Sequence, residues 1–341
     1  MKLRRLLRWW WVLPVLLVVG SVAAWFVPTG YYLMLPGNTE NLNRIVSVSG
    51  GKSAHRGKLL MVTVSMQRAN GLLFLLARLN PVAELVPRQE MMPPGQDFQE
   101  YLRQSAEMMK ESKAAAEVAA LRQLGYKNAG IVGHGVQVIQ VLKGMPATGK
   151  LQKGDVITAV DGHAVTLDTQ LVAYMSHVRV GQTMRFTVDR HGQTRQVDVR
   201  TVRNPQGGNR PVVGILINTY ELHFQIPVPI KIRTGDISGP SAGMMFSLEI
   251  IDQLDHRSLT GGRTIAGTGT IDPFGNVGPI GGIGQKVVTA YRSGARVFLC
   301  PQGNLPHALA MVHRLHLPVR VVPVRNLGQA VNFLNRGAQT A

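Results

Sequence analysis

The sequence of 341 residues contains one cysteine and only 19 acidic side chains. One thiol cannot form an internal bridge, so a disulfide framework is excluded, and Cys300 in the apolar run RVFLCP is expected to be a small core residue. The 37 Lys and Arg give a net charge of +18, which favours anionic surroundings such as a lipid surface or a cell-wall polymer. The sequence has no basic run interleaved with aromatic residues and no nucleic-acid fold signature. We therefore expect no nucleic acid as a partner.

The sequence also lacks motifs for metal ions and nucleotides. The histidines His134, His163 and His191 are scattered and do not have the spacing of metal ligands, so we expect no metal and no other cofactor. The tripeptide Gly51-Lys52-Ser53 looks like part of a phosphate-binding loop, but the full pattern would need glycine in place of Val46. No other stretch offers such a loop, so ATP is not expected to bind.

The N-terminus carries a long apolar run. The basic segment MKLRRLLR, residues 1–8, precedes an uncharged run of 19 residues from Trp9 to Val27, long enough to cross a hydrocarbon core of about 30 Å. The positive flank should stay in the cytoplasm, so we predict a single-pass helix over residues 9–27 in the cell membrane, with the rest of the chain outside. A cleavable signal peptide is the alternative, because Ser21-Val22-Ala23 resembles a cleavage site, although the run exceeds the usual range of about 7 to 15 apolar residues.

The stretch GPSAGMMFSLEIIDQL, from Gly239 to Leu254, presents a serine at the start of an apolar helix. Gly239 and Pro240 interrupt the preceding structure, and proline is favoured at a first helical position. Ser241 is thus expected where unpaired backbone N–H groups point outward, and such donors can stabilise an oxyanion. A serine hydroxyl is a weak nucleophile and needs a base beside it. The alternative is that Ser241 is only an N-cap, a position that serine favours.

A lysine follows the glycine-rich loop GNVGPIGGIG and opens a second apolar helix, KVVTAYRSG. The one histidine between the two segments, His256, lies in a polar turn, so Lys286 is the better candidate for the base. An ordinary lysine, with a pKa of about 10.4, is charged at neutral pH and cannot accept a proton. Burial and a helix N-terminus would both lower that pKa. Taken alone, Lys286 fits an ordinary surface lysine as well.

Together the two segments resemble the proteolytic domain of Lon-type serine peptidases, in which GPSAG carries the nucleophile and PIGG-x-x-x-K carries the base. Here the motifs are Gly239–Gly243 and Pro279–Lys286. The resemblance implies a Ser241/Lys286 dyad, a supporting hydroxyl at Thr268 in the segment GTGTIDPFGNV, and an α/β (α+β) domain of the ribosomal-S5-domain-2-like type. ATP-dependent members of the family commonly have an acidic residue three positions before the serine, where this chain has Ser238.

The stretch before the serine motif carries a second resemblance. The pattern L-x-x-G-D-x-I-x-x-V-x-G from Leu151 to Gly162 resembles a PDZ domain of the bacterial circularly permuted kind, which we place at residues 126–204. The resemblance implies a loop that captures a peptide carboxylate on backbone N–H groups and a strand that pairs with the peptide. The peptide-binding residues would be Gly133, Gly135, Val136 and Val138. The alternative is a small β-domain used only for packing.

The PDZ-like module would interrupt one Lon-type domain, with a first part at residues 40–125 and a catalytic part at residues 205–336. A helix predicted from Phe98 to Leu124 belongs to the first part. The sequence therefore predicts a membrane-anchored, ATP-independent serine endopeptidase whose PDZ domain selects protein or peptide substrates. Its partners would be those substrates and membrane lipid, and homo-oligomer formation stays open. A catalytically idle, membrane-tethered peptide-binding scaffold is the alternative from a different class.

Overall fold

The computed structural model describes residues 12–52, 57–92, 95–205 and 210–338, which form two compact units. The first unit takes in the residues up to Lys127 and those from Ile226 onward, and the second is Asn128–Gln225. The second unit is therefore inserted into the first along the chain. The mixed α/β class expected from the sequence is confirmed.

The elements are named here in chain order. They are α1 Val12–Phe26, β1 Pro28–Asn41, α2 Leu42–Ile45, β2 Val46–Val48, β3 Lys58–Asn70, α3 Gly71–Leu79, β4 Glu84–Pro87, α4 Arg88–Met91, α5 Phe98–Gln123, β5 Gly130–Val132, β6 Val136–Val141, β7 Val156–Val160, β8 His163–Ala164, α6 Asp168–Met175, β9 Thr183–Arg190, β10 Gln193–Arg200, β11 Val202–Arg203, β12 Pro211–Val212, β13 Ile215–Thr219 and β14 His223–Gln225. There follow β15 Ile230–Ile232, a 3-10 turn Pro240–Ala242, α7 Gly243–Leu254, β16 Thr264–Gly267, β17 Thr270–Ile271, β18 Val277–Gly278, α8 Ile283–Arg292, β19 Val297–Pro301, a 3-10 turn Gln302–Asn304, α9 Leu305–Leu315, β20 Arg320–Val324 and α10 Leu327–Ala338.

The first unit is built on a mixed six-stranded sheet in the order β20, β19, β16, β3, β1, β4. The strands from β20 to β3 are parallel, whereas β1 pairs antiparallel with both β3 and β4. Parallel neighbours need crossover connections, which α8 and α9 provide. Val287 and Ala290 of α8 pack on the buried side chains Ala266, Phe298 and Cys300 of this sheet. Cys300 is thus the small core residue that the sequence predicted, and burial raises the pKa of its thiol to about 12.

Helix α7 is the most deeply buried helix among the described elements, since its residues from Gly243 to Gln253 are all buried. Its polar side chains are buried with hydrogen-bond partners, since Gln253 Nε2 donates to the carbonyl oxygen of Val46 at 2.9 Å and to Glu249 Oε1 at 2.8 Å. The long helix α5 packs against it, and Ser247 Oγ donates a hydrogen bond to the carbonyl oxygen of Ala116 at 3.0 Å. The helix predicted at Phe98 to Leu124 corresponds to α5, which the Asp97 side chain caps at its N-terminus.

The second unit is an antiparallel sheet in the order β10, β9, β7, β6, β13 with α6 packed on it. Its core is formed by buried apolar side chains, including Val136, Val138, Ile157, Phe186 and Val188. The unit extends to Gln225, beyond the predicted end of the module at residue 204. The physical reason is strand pairing, because β13 pairs with β6 and β14 pairs with β5.

The N-terminal helix α1 is 15 residues long. Across the ranges that the structure describes, no helix is both long and apolar enough to cross a membrane. The predicted basic tail, residues 1–8, and the first residues of the predicted span, Trp9 to Trp11, lie outside the described residues.

Candidate active site

Ser241 lies in the 3-10 turn that leads directly into α7. Gly239, before the turn, has a φ of 91°, a conformation that a side chain would strain, and Pro240 occupies the first helical position. Helix α5 fixes this turn from the side. Ser112 Oγ donates to the carbonyl oxygen of Pro240 at 3.0 Å, and the N–H of Gly239 donates to the carbonyl oxygen of Ser105 at 3.0 Å. The partly exposed Ser241 is therefore held in one backbone conformation.

Lys286 lies in the first turns of α8, which follows the N-cap residue Gly282. Gly282 has a φ of 67°, and a Cβ at this position would lie 2.6 Å from Met34 Sδ and 2.9 Å from Val64 Cγ1. Only glycine fits this turn, so the glycine-rich loop serves to bring the helix close to the sheet. Lys286 is 3% exposed, and burial lowers the pKa of its ammonium group from 10.5 to about 8.

The structure brings the two predicted catalytic side chains together. Lys286 Nζ donates to Ser241 Oγ at 2.7 Å and to Thr268 Oγ1 at 3.1 Å. Thr268 Oγ1 in turn donates to the carbonyl oxygen of Ser241 at 2.8 Å, and the N–H of Gly269 donates to the same oxygen at 2.8 Å. The hydroxyl of Thr268 therefore links the backbone of the serine to the side chain of the lysine and restricts the position of both.

No carboxylate compensates the charge of the buried lysine. Within the described residues, Lys286 is in no ion pair, and burial is the one cause of its lowered pKa. An acidic neighbour would raise that pKa and keep the amine protonated. Burial therefore makes the neutral form, which is the form that can accept a proton, more populated than in an ordinary lysine.

The helical segment that contains Ser241 begins with backbone N–H groups of two kinds, those with an acceptor and those without an intrahelical one. The N–H of Gly243 donates to the carbonyl oxygen of Pro240, and the N–H of Met244 donates to the carbonyl oxygen of Gly269 at 3.1 Å. The N–H groups of Ser241 and Ala242 come earlier in the helical segment, where N–H groups have no intrahelical acceptor. Such groups at a helix start are suited to bind a developing negative charge.

Sequence reasoning missed Ser105 and Ser112 as contributors to the site. Both are buried serines on α5. Ser112 supports the turn that contains Ser241 through its hydroxyl, and Ser105 supports it through its backbone carbonyl oxygen. A signal was present in the sequence, because they are seven residues apart, two helical turns, on the face of α5 that also carries Met109. A small polar residue on the apolar face of a helix indicates a hydrogen bond to the backbone of a neighbour, which Ser112 makes. The contact of Ser105 is made by its backbone and required no particular side chain.

The predicted peptide-binding loop of the second unit makes hydrogen bonds within that unit. The N–H of His134 donates to the carbonyl oxygen of Tyr220 at 2.9 Å, and that of Gly135 donates to the carbonyl oxygen of Thr166 at 3.3 Å. A Cβ on Gly133 would lie 2.3 Å from the carbonyl oxygen of Thr166, so this glycine serves close packing. The N–H groups of His134 and Gly135 therefore have partners inside the unit, and the capture of a carboxylate by this loop stays a prediction.

The predicted peptide-pairing strand, β6, lies in the interior of the sheet of the second unit. The side chains of Val136 and Val138 are fully buried in the core of the unit. Strand β6, which contains them, pairs with β7 on one side and with β13 on the other, so it has no free edge for a peptide. The strand at the end of the sheet is β13, and α6 packs beside it. The partly buried side chains Ile215 and Ile217 of β13, together with Met175 of α6, give this edge an apolar lining.

No group of three or more His, Cys, Asp or Glu that could hold a metal ion occurs in the described ranges. The histidine pair His134 and His223 form an edge-to-face ring contact at 5.9 Å in the second unit. A ring contact of this kind is a packing arrangement, and it does not bring three ligands to one point.

Comparison with known proteins places a PDZ domain in this chain, with residues 105–201 matching that family. The PDZ domain of the SdrC-like protein from Listeria monocytogenes is 27% identical, over 25% of this chain and 87% of that chain, with a TM-score of 0.23. The corresponding domain from Listeria innocua is 27% identical, over 26% and 99%, with a TM-score of 0.24. A solution structure from Geobacillus thermodenitrificans is 32% identical, over 24% and 94%, with a TM-score of 0.23. No curated protein matches the chain.

Proposed function

We propose that this chain, which contains a PDZ domain, is a membrane-anchored, ATP-independent serine endopeptidase of the Lon type. The observation that carries the proposal is the 2.7 Å contact between Lys286 Nζ and Ser241 Oγ, on a lysine that is almost completely buried. The PDZ domain suggests a protein-binding or peptide-binding role. We therefore assign the recognition of substrates to the PDZ domain and their cleavage to the dyad.

The reaction begins with a proton transfer within the dyad. Neutral Lys286 accepts the hydroxyl proton of Ser241 while Ser241 Oγ forms a bond to the scissile carbonyl carbon. Backbone N–H groups of Ser241 and Ala242 stabilise the resulting oxyanion. Lys286 then gives the proton to the leaving amine as the C–N bond breaks, which leaves an acyl-serine. A water molecule deprotonated by Lys286 hydrolyses this ester and restores the hydroxyl of Ser241.

The lowered pKa of Lys286 makes this step feasible near neutral pH. A pKa of about 8 leaves roughly one in ten of the side chains neutral at pH 7, against about one in three thousand for a pKa of 10.5. Thr268 supports the step by position, since its hydroxyl accepts from Lys286 Nζ at 3.1 Å. The amine therefore stays close to Ser241 whether or not it carries a proton.

The N-terminal helix supports the anchoring part of the proposal. The apolar side chains Val15, Val18, Val19 and Phe26 of α1 are all more than half exposed. Exposed apolar surface of this extent indicates contact with lipid or protein. The basic residues of the segment 1–8 give the orientation, with the N-terminus in the cytoplasm and both units outside.

Purified protein in detergent or vesicles provides the test of the chemistry. Hydrolysis of a protein substrate such as casein, or self-cleavage, is compared for the unmodified protein, Ser241→Ala and Lys286→Arg. Ser241→Ala should lose cleavage because it has no hydroxyl to attack the substrate. Lys286→Arg should lose cleavage because guanidinium stays protonated at the pH of the assay and cannot act as a base. Ser293→Ala and Lys231→Arg serve as matched controls elsewhere in the same unit and should keep cleavage. Activity retained by Lys286→Arg would eliminate lysine as the base.

A catalytically idle scaffold is the second candidate, favoured by the fact that the matched family covers the PDZ region alone. The same variants separate the two functions. A peptidase loses cleavage and keeps peptide binding when Ser241 becomes alanine. A scaffold shows no cleavage in any of the proteins, and covalent labelling of Ser241 by a serine-reactive fluorophosphonate would then be absent.

A further inference from the structure

Helix α3 carries apolar side chains on its outer face. Leu75, Leu76 and Leu79 are 59%, 51% and 82% exposed. The inner face of the same helix is anchored, because Ala77 is buried and Leu73 packs on the small core cluster around Leu33. Three neighbouring leucines in water cost free energy unless something covers them.

The outer face of α3 is continuous with the apolar helix α1. The N–H of Gly71, the first residue of α3, donates to the carbonyl oxygen of Val27 at 2.9 Å, immediately after α1 ends. A Cβ on Gly71 would lie 2.8 Å from the carbonyl oxygen of Ala24, so the two helices meet as closely as a glycine allows. Trp25 and Phe26 at this end of α1 are 55% and 78% exposed. The exposed leucines therefore extend the apolar surface of α1 sideways.

Aromatic and basic side chains border this surface. The guanidinium of Arg78 lies over the ring of Phe74 at 5.1 Å, and the rings of Phe74 and Tyr31 are 5.2 Å apart. A groove of about 470 Å³ runs between the end of α1 and the sheet, and its lining includes Arg68 and Arg88. Aromatic rings and arginines with apolar stems are the side chains enriched at the boundary between headgroups and acyl chains.

We propose that α3, together with the end of α1, is a docking surface that seats the first unit on an anionic lipid bilayer. The three leucines enter the acyl boundary, and Arg68, Arg78 and Arg88 face the headgroups. Lipid fits better than a second copy of the chain, because the apolar face is bordered by arginines, with net charge +18 on the whole protein, and two such faces would repel each other. The inference rests on the anchoring part of the proposed function and adds a second, lateral contact to it.

The position of α3 connects this contact with the candidate active site. Gln285 Nε2 donates to the carbonyl oxygen of Val82 at 3.3 Å, in the loop that follows α3. The guanidinium of Arg314 donates to the carbonyl oxygen of Pro81 in the same loop. Gln285 directly precedes Lys286 on α8. A lipid-bound α3 therefore holds the dyad at a fixed height, which favours cleavage of substrate segments close to the membrane.

Depth measurements on the full-length protein test the docking surface. Leu76→Cys is labelled with an environment-sensitive nitrobenzoxadiazole dye and placed in phosphatidylglycerol-containing vesicles with nitroxide groups on the acyl chains. Cys300 can be retained, because it is fully buried and its thiol is unreactive. The label at position 76 should be quenched more than about two-fold. The label of Lys110→Cys, on the exposed face of α5, is the matched control and should keep the emission of a dye in water.

Each of the other outcomes overturns the inference in a distinguishable way. If the protein floats with the vesicles and the label at position 76 is not quenched, the anchor stands and the docking surface is wrong. Shielding of that label without quenching, together with energy transfer between copies, would assign the face to self-association. If the protein does not float with vesicles at all, the anchoring part of the proposed function fails as well. Cleavage of casein, measured on the same samples, reports separately on the peptidase.

Discussion

The substitution Lys286→Met tests whether the buried lysine is neutralised by its surroundings. Methionine keeps the length and apolar stem of the side chain and removes the ionisable group. In the unmodified protein the folded state lowers the pKa of Lys286 from 10.5 to about 8, so between these values the unfolded state binds more protons. Stability must then rise with pH across this window, because stability increases with pH wherever the unfolded state holds the extra proton. The variant has no ionisable group at this position, so this dependence of stability on pH is absent from it.

The size of the effect follows from the two pKa values. Folding with a protonated Lys286 costs about 3 kcal/mol at pH 7, and this cost falls below about 1 kcal/mol at pH 10. The hydrogen bonds from Lys286 to Ser241 and Thr268 oppose the cost by about 1 kcal/mol each, and they are lost in the variant. The variant is therefore expected to be more stable than the unmodified protein at pH 7 by about 1 kcal/mol, and this advantage should reverse by pH 10.

Urea unfolding followed by circular dichroism, measured at several values between pH 7 and pH 10, provides the assay. The quantity of interest is the difference in unfolding free energy between the two proteins, since other titrating groups cancel in it. This difference should change by about 2 to 3 kcal/mol over the range. Ser293→Ala, which changes no ionisable group in the same unit, is the control and should give a difference that does not depend on pH. A constant difference for Lys286→Met would refute the lowered pKa and with it the account of the base.

Three further predictions concern single features. Thr268→Val should lower kcat at least about ten-fold and leave KM nearly unchanged, because it removes the hydroxyl that positions Lys286; equal activity would deny Thr268 this role. Burial raises the pKa of Glu249 to about 7, so this group lowers the stability of the protein as pH rises from about 4.5 to 7. Glu249→Gln should therefore have the higher melting temperature at pH 8 but not at pH 4. A peptide that binds the PDZ domain should slow amide hydrogen exchange in the edge strand Ile215–Thr219 and leave exchange in the neighbouring strand Val136–Val141 unchanged. The opposite pattern would indicate that the peptide pairs with β6.

Local conformation was largely readable from the sequence. Gly239-Pro240 marked the start of α7, the glycines before Lys286 marked the start of α8, and the Ala-rich segment marked α5. These features depend on φ angles, helix propensity and capping, which neighbouring residues determine. The PDZ domain was also predictable, because its glycine and aspartate turn pattern occupies one short segment, and the family match confirms it.

The tertiary structure decided which elements became neighbours. Alternation in β6 placed Val136 and Val138 on one face, yet nothing local indicated that β13, more than seventy residues later, would pair with that strand and take the edge position. The exposure of the leucines of α3 is likewise a result of the fold, which leaves them outside the core, next to α1. The sequence motifs predicted Ser241 and Lys286 as the catalytic residues. The 2.7 Å distance from Lys286 Nζ to Ser241 Oγ and the burial of the lysine arise because α7 and α8 pack with one sheet. The physical reason is that a short segment carries its own dihedral preferences, whereas pairing between distant segments is settled by the free energy of the whole core.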